Sequence, residues 1–184
     1  MHPYDPWQKC RTISDLPADL VISALQKEIR RNNVDNAMFL AFEMLKTSSD
    51  LEEYLWQRLR VISVEDIGFG DVLAPVVVSS LDSMRKSVSG EGDRRLFAIH
   101  AVRYLCSRTK DRSSDEALNW VMYLREAGEG IPEIPDYAVD KHTLKGQELG
   151  RNTDDFYAEG ANVAPELEDR DTSYREKILK ILAD

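Results

Sequence analysis

Apolar residues recur at intervals of three and four from about residue 16 to 127, the period that gathers side chains along one side of an α-helix. Val21, Ala24, Leu25 and Ile29 predict a first helix after Leu16-Pro17, with Ser14 or Asp15 as its cap, stopping at Arg31-Asn32-Asn33. Asn33 is placed to cap a second helix carrying Val34, Ala37, Met38, Ala41, Met44 and Leu45. Ser49 with Glu52 has capping-box spacing before Leu51, Tyr54, Leu55, Leu59 and Ile62, and Gly68 closes this third helix. A fourth is expected to be capped by Asp71, with Pro75 in its first turn and Leu73, Val77, Leu81, Met84 and Val88 as its buried stripe. Val76-Val77-Val78 alone suits a strand, but β-branched residues weaken a helix only mildly and the wider spacing is helical. Leu96, Phe97, Ile99, Ala101, Val102, Leu105 and Cys106 cover most of a helical circumference, so the fifth helix should be central. Ser113 and Glu116 form a second capping box ahead of Ala117, Leu118, Val121 and Leu124, and Gly128 supplies the stop. The fold class is all-α: a compact multi-helix bundle over 16–130, preceded by an N-terminal extension at 1–15.

The pattern changes in 131–184. From residue 133 onward there are 13 acidic and 7 basic residues with few apolar anchors. Tyr137, Val139 and Leu144 suggest one short helix, Phe156 and Tyr157 a turn, and Tyr174, Ile178, Leu179 and Leu182 a last helix. Isolated helices this short are marginal in water, so the acidic appendage is expected to pack on the core or on a neighbouring subunit. At 184 residues, 42% hydrophobic and 31% charged, the chain is long enough for one sizeable core. No apolar run approaches a membrane span, and MHPYDPWQKC lacks the basic and apolar regions of an export signal. A cytoplasmic protein with two reduced thiols, Cys10 and Cys106, is the expectation. The net charge of −9 argues against a general polyanion-binding surface while leaving room for a local basic patch.

Three clusters are candidates for chemistry. Glu65 and Asp66 sit side by side at a helix C-terminus, against the negative end of the dipole, with Asp71 nearby in sequence. They suit an acid/base pair or a metal site, or else a structural role capping a neighbouring helix and pairing with Arg58 or Arg60. Adjacent helical residues point about 100° apart, which favours the structural role. His142 beside Asp140 is the beginning of a general base, but no nucleophile motif accompanies it, so it reads as a surface or interface histidine. His100, inside the most apolar helix, is expected to be a hydrogen-bonded core residue, and His2 lies in the terminus. Arg94, Arg95, Arg103, Arg108, Lys110 and Arg112 are candidates for DNA or phosphate contact, with internal pairing as the alternative. No phosphate-binding loop of the G-x-x-x-x-G-K-[ST] kind occurs, and three histidines with two isolated cysteines give no zinc spacing, so neither nucleotide hydrolysis nor a cofactor is assigned.

Three stretches, in order, resemble the C-terminal region of the MgsA/RarA family, replication-associated recombination AAA+ ATPases similar to clamp loaders. Ser23 to Arg30, with Lys27 and Arg30, is similar to the helix opening that domain. Arg58 to Asp71 resembles its arginine-rich helix and Ser-x-x-Asp-Ile-Gly-type turn, through Arg58, Arg60, Ser63, Glu65, Asp66 and Gly68. Ala101 to Leu105, with Tyr104, resembles an Ala-Val-x-Tyr-Leu helix. This likeness covers about residues 16–127. Arg31-Asn32-Asn33 replaces a usual Gly-Ser-Asp link, Thr109 to Ser113 stands for a Pro-Lys-Ser-Asn turn, and the tail from Tyr137 is unlike the usual family ending. The resemblance implies a collar-like helical domain, assembled as a tetramer and linked to DNA replication and repair. With the ATPase module missing, it implies a stand-alone relative, with a separately encoded AAA+ ATPase or single-stranded-DNA-binding protein as partner. The leading reading is therefore a non-catalytic oligomerisation and interaction module. A direct DNA binder using the 94–112 segment, and a small hydrolase or metal-dependent enzyme using Glu65, Asp66 and His142, are the alternatives.

Overall fold

The computed structural model describes residues 6–183, which form two compact units divided between Ala127 and Gly128. His2 lies outside the described residues. The first unit is a bundle of six helices: α1 (Ala18–Arg30), α2 (Val34–Thr47), α3 (Ser49–Glu65), α4 (Ala74–Lys86), α5 (Glu91–Ser107) and α6 (Ser113–Glu126). Among the described residues no strand forms; an isolated antiparallel bridge joins Arg11 to Pro17. α5 is central as expected, packing on α1, α2, α3 and α4, and it buries Ala98, Ala101, Val102, Leu105 and Cys106. Leu25, Ile29, Met44, Leu55, Trp56, Leu59 and Ile62 meet it from α1, α2 and α3, each fully buried. Burial of each such side chain contributes roughly 1.5–3 kcal/mol.

Several caps differ from expectation. Pro17, not Ser14 or Asp15, precedes α1, and Asp15 instead takes a left-handed turn (φ 59°) and pairs with Arg11 at 2.9 Å. Asn33 holds the cap position of α2 without a side-chain hydrogen bond. The cap of α3 is Ser48, whose Oγ accepts from the Leu51 N–H at 3.2 Å; Glu52 is drawn away to arginines, so no capping box closes at Ser49. α4 starts at Ala74 after Leu73, and Asp71 accepts the Leu73 N–H in the preceding turn instead of capping the helix.

Two helices bury different faces from those expected. In α4 the buried stripe is Ala74, Val78, Asp82 and Arg85, whereas Leu73 and Met84 are exposed. An internal ion-pair network makes a charged stripe the inward one. α6 is the sharper departure: it has no buried residue, its cap Arg112 makes no side-chain cap bond, and Leu118 and Val121 lie open. Asp111 steers its start instead, accepting from the Ser113 N–H and hydroxyl, both at 3.0 Å. Gly128 (φ 79°) follows as the left-handed stop.

The second unit is built from short pieces: a single turn at Asp136–Ala138, α7 (Leu144–Glu148), α8 (Thr153–Asp155) running into a wide turn at Phe156–Gly160, and α9 (Ser173–Ala183). Its ordering is local. Thr143 caps α7, Asn152 and Asp155 form a capping box, and Arg151 bonds Asp136 at 2.8 Å. Gly146 is buried where any Cβ would collide with the Asp140 carbonyl, so the turn at 140–146 requires glycine.

Candidate functional site

The carboxylate pair at the end of α3 is enclosed by cations. Asp66 is fully buried and accepts from Arg30 Nε at 2.5 Å, Arg112 Nη1 at 2.8 Å and Gln26 Nε2 at 2.9 Å. Glu65 accepts from Gln26 at 2.7 Å and from Arg30 and Arg112 at 3.2 Å, with Arg58 at 3.8 Å. Arg58 also donates to Gln26 Oε1. Burial opposes the Arg112 charge, but the hydrogen bonds it donates to Asp66 and Glu65 outweigh it and raise its pKa. This cluster ties α1, the end of α3 and the start of α6 together. Lys27 stays at the surface, bonded to Ser23, and the buried Ser63 hydroxyl donates to the Arg60 carbonyl.

The glycines after it serve close packing. The Asp111 N–H donates to the Asp66 carbonyl at 3.0 Å, and the Phe69 N–H donates to Asp111 Oδ2 at 3.1 Å. A Cβ at Gly68 would meet the Asp111 carbonyl, and one at Gly70 the Thr109 carbonyl. Gly68 also has a φ of 50°. Asp71 belongs elsewhere: it accepts from the Tyr104 hydroxyl at 2.7 Å and faces Arg108 at 3.6 Å. The Tyr104 bond and the Leu73 N–H hold the Asp71 carboxyl below its ordinary range. Glu65, Asp66 and Asp71 therefore do not converge, and among the described residues no group of three His, Cys, Asp or Glu side chains is placed to hold a metal ion.

A second network escaped the sequence analysis. Arg85, 2% exposed, bonds Glu53 through both terminal nitrogens at 2.7 Å, Asp82 at 2.8 Å and Glu52 at 3.2 Å, with its guanidinium 5.4 Å from the Trp56 ring centre. Asp82 also takes Arg60 at 2.8 Å and Lys86 at 3.1 Å, and Arg94 closes on Glu52. Its sequence signal is the continuation of the Ala74, Val78 stripe into Asp82 and Arg85 at the same helical spacing.

The basic segment is largely consumed by such contacts. Arg94 pairs with Glu52, Arg95 with Glu91, Arg108 with Asp71, and Arg112 with Glu65, Asp66 and Asp115. Lys110 turns inward to the carbonyls of Leu105, Cys106 and Arg108 at 2.5–3.0 Å, serving the orphan acceptors at the end of α5. Burial lowers its pKa. Of the six, Arg103 alone has no partner among the described residues. His100 is exposed, not in the core, because it lies on the outer side of α5, lining a groove with Val34, Arg103, Tyr104 and Ser107. Cys106 is buried beneath, and desolvation pushes its thiol up to about 11.

In the second unit, His142 Nδ1 lies 3.0 Å from Asp140 Oδ2, and its ring stands edge-on to Phe156 at 5.1 Å. The His142 contacts lower the Asp140 pKa. Asp140 also accepts the His142 backbone N–H at 2.9 Å, so the pair forms a turn around Phe156, with His142 itself mostly exposed.

One surface stands out as uncovered. α6 touches chiefly α3, and between them runs an open groove of about 430 Å³ with Arg60, Val61, Val64 and Glu65 on one wall and Ser114, Asp115 and Leu118 on the other. Trp120, Met122 and Tyr123 extend the apolar exposure along α6.

No curated protein matches the chain. The family model described as MgsA AAA+ ATPase C terminal matches residues 32–169 of the 184. It begins after α1 and continues through the acidic segment, so the family likeness extends into the tail that motif comparison sets apart. With a match over well over half its length and an all-helical bundle to go with it, the chain belongs to the family of MgsA AAA+ ATPase C-terminal domains.

Proposed function

We propose that this chain is a non-catalytic self-association and interaction module of the MgsA/RarA type, working in the cytoplasm with a separately encoded AAA+ ATPase or single-stranded-DNA-binding protein in DNA replication and repair. The replication link rests on family membership. The self-association reading rests on one observation: α6 is a fourteen-residue helix with no buried residue and apolar side chains on most of its circumference. A helix apolar on most sides is stable when other surfaces cover it. The non-catalytic reading is supported by the clusters of ionisable groups, in which the buried carboxylate Asp66 and the buried guanidinium Arg85 are tied up in internal ion pairs.

Size-exclusion chromatography with light scattering on the full chain tests this. A mass of two or four chains at micromolar concentration is expected, four being the number the family suggests; a single-chain mass across the whole concentration range refutes the proposal.

A further inference from the structure

Within α6, Asp115, Leu118, Met122 and Arg125 recur at steps of three, four and three residues, which places them in one stripe along the helix. The middle of the stripe is apolar and open, Leu118 being 59% and Met122 48% exposed. Its two ends carry opposite charge. Arg125 makes no ion pair among the described residues, and Asp115, already bonded to Arg112 through Oδ2, keeps Oδ1 free of any hydrogen bond among them. Beside the stripe, Val61 and Val64 of α3 add half-exposed apolar surface along the groove.

A stripe with an acid at one end and a base at the other complements a reversed copy of itself. Turned end for end about a two-fold axis near the middle of the helix, Asp115 of one copy meets Arg125 of the second, and Leu118 meets Met122. Each contact then occurs twice, as an isologous interface requires. A parallel pairing would set like charges against each other at both ends.

We propose that two copies of this domain pair through antiparallel α6 helices, each lying along the α3–α6 groove of the other, with the Asp115–Arg125 contact setting direction. The proposal rests on the self-association reading and specifies the surface that carries it.

Sedimentation equilibrium on the full chain tests it with Arg125→Asp, Asp115→Arg and the double exchange. Either single change puts two repulsive contacts into the symmetric pair and is expected to weaken association by about tenfold to a hundredfold, while the double exchange restores it to within about threefold. Leu118→Glu, at an open position, supplies an independent arm and should leave a folded chain of lower mass. Circular dichroism melting accompanies each variant. Unchanged association in Arg125→Asp and Leu118→Glu, or failure of a folded double exchange to recover, overturns the antiparallel pair while the self-association reading stands. Lowered melting temperature with unchanged mass means the stripe is covered within the chain, which also overturns it. A monomeric parent removes both proposals.

Discussion

Asp66 shows how one side chain can organise three elements. Its carboxylate is fully removed from solvent, and removal from water is costly unless opposite charges and hydrogen bonds replace it. Arg30, Arg112 and Gln26 supply three bonds from α1, the start of α6 and α1 again. Asp66→Ala takes the buried acceptor from two guanidinium groups, leaving Glu65 to both and Asp115 to Arg112. It is expected to cost about 2–3 kcal/mol, under the roughly 3–5 kcal/mol of a fully buried pair because both arginines can swing toward water. The urea midpoint of the variant measures this, and an unchanged midpoint would show that the cluster is energetically idle. The motif around Asp66 was legible in the sequence as an unusual pair of acids at a helix end. Its partners were not, because Gln26 and Arg112 lie about forty to forty-six positions away and only packing brings them there.

Among the elements, α4 and α6 depart furthest from the hydrophobic pattern, for opposite reasons. α4 turns Asp82 and Arg85 inward, since Glu52 and Glu53 on α3 and Arg60 complete a charge set that the interior can accept. Arg85→Met removes the central cation and leaves Asp82 and Glu52 short of a partner, although Arg60, Lys86 and Arg94 remain. A loss of about 2–4 kcal/mol is expected, against almost no change for Arg11→Ala in an exposed pair. Comparable losses in the two variants would contradict the burial argument. α6, by contrast, shows good helical periodicity yet finds no inner wall to pack on in its own unit. Periodicity reports which side of a helix is apolar and is silent on whether the apolar side faces the same chain.

For the whole bundle, the shifted carboxylates predict the response to acid. The Arg85 bond holds Glu53 low; in Asp82 the bonds to Arg85 and Lys86 outweigh the burial that opposes them; the Tyr104 bond lowers Asp71 and the Ser113 bonds lower Asp111. Each is depressed in the folded state, so its contribution is fully present above the ordinary carboxylate pKa of about 4 and is lost as pH falls through the folded value. Stability followed by urea titration should therefore be level from pH 7 to about 5 and decline steeply below about 4. A midpoint that rises on acidification would reverse the assigned signs. Among the described residues no helix is long and apolar enough to cross a membrane.

The six helices of the first unit, the central place of α5, the family and the unusual turn after α3 were determined by the sequence itself, because spacing, capping residues and glycines act over a few positions and leave a local record. Which face of α4 goes inward, which cations are spent on internal pairs, and that α6 stays open were decided only by the tertiary structure. Those outcomes depend on distant groups meeting, and the same arginine is a phosphate ligand or a structural tie according to which carboxylate the fold sets beside it.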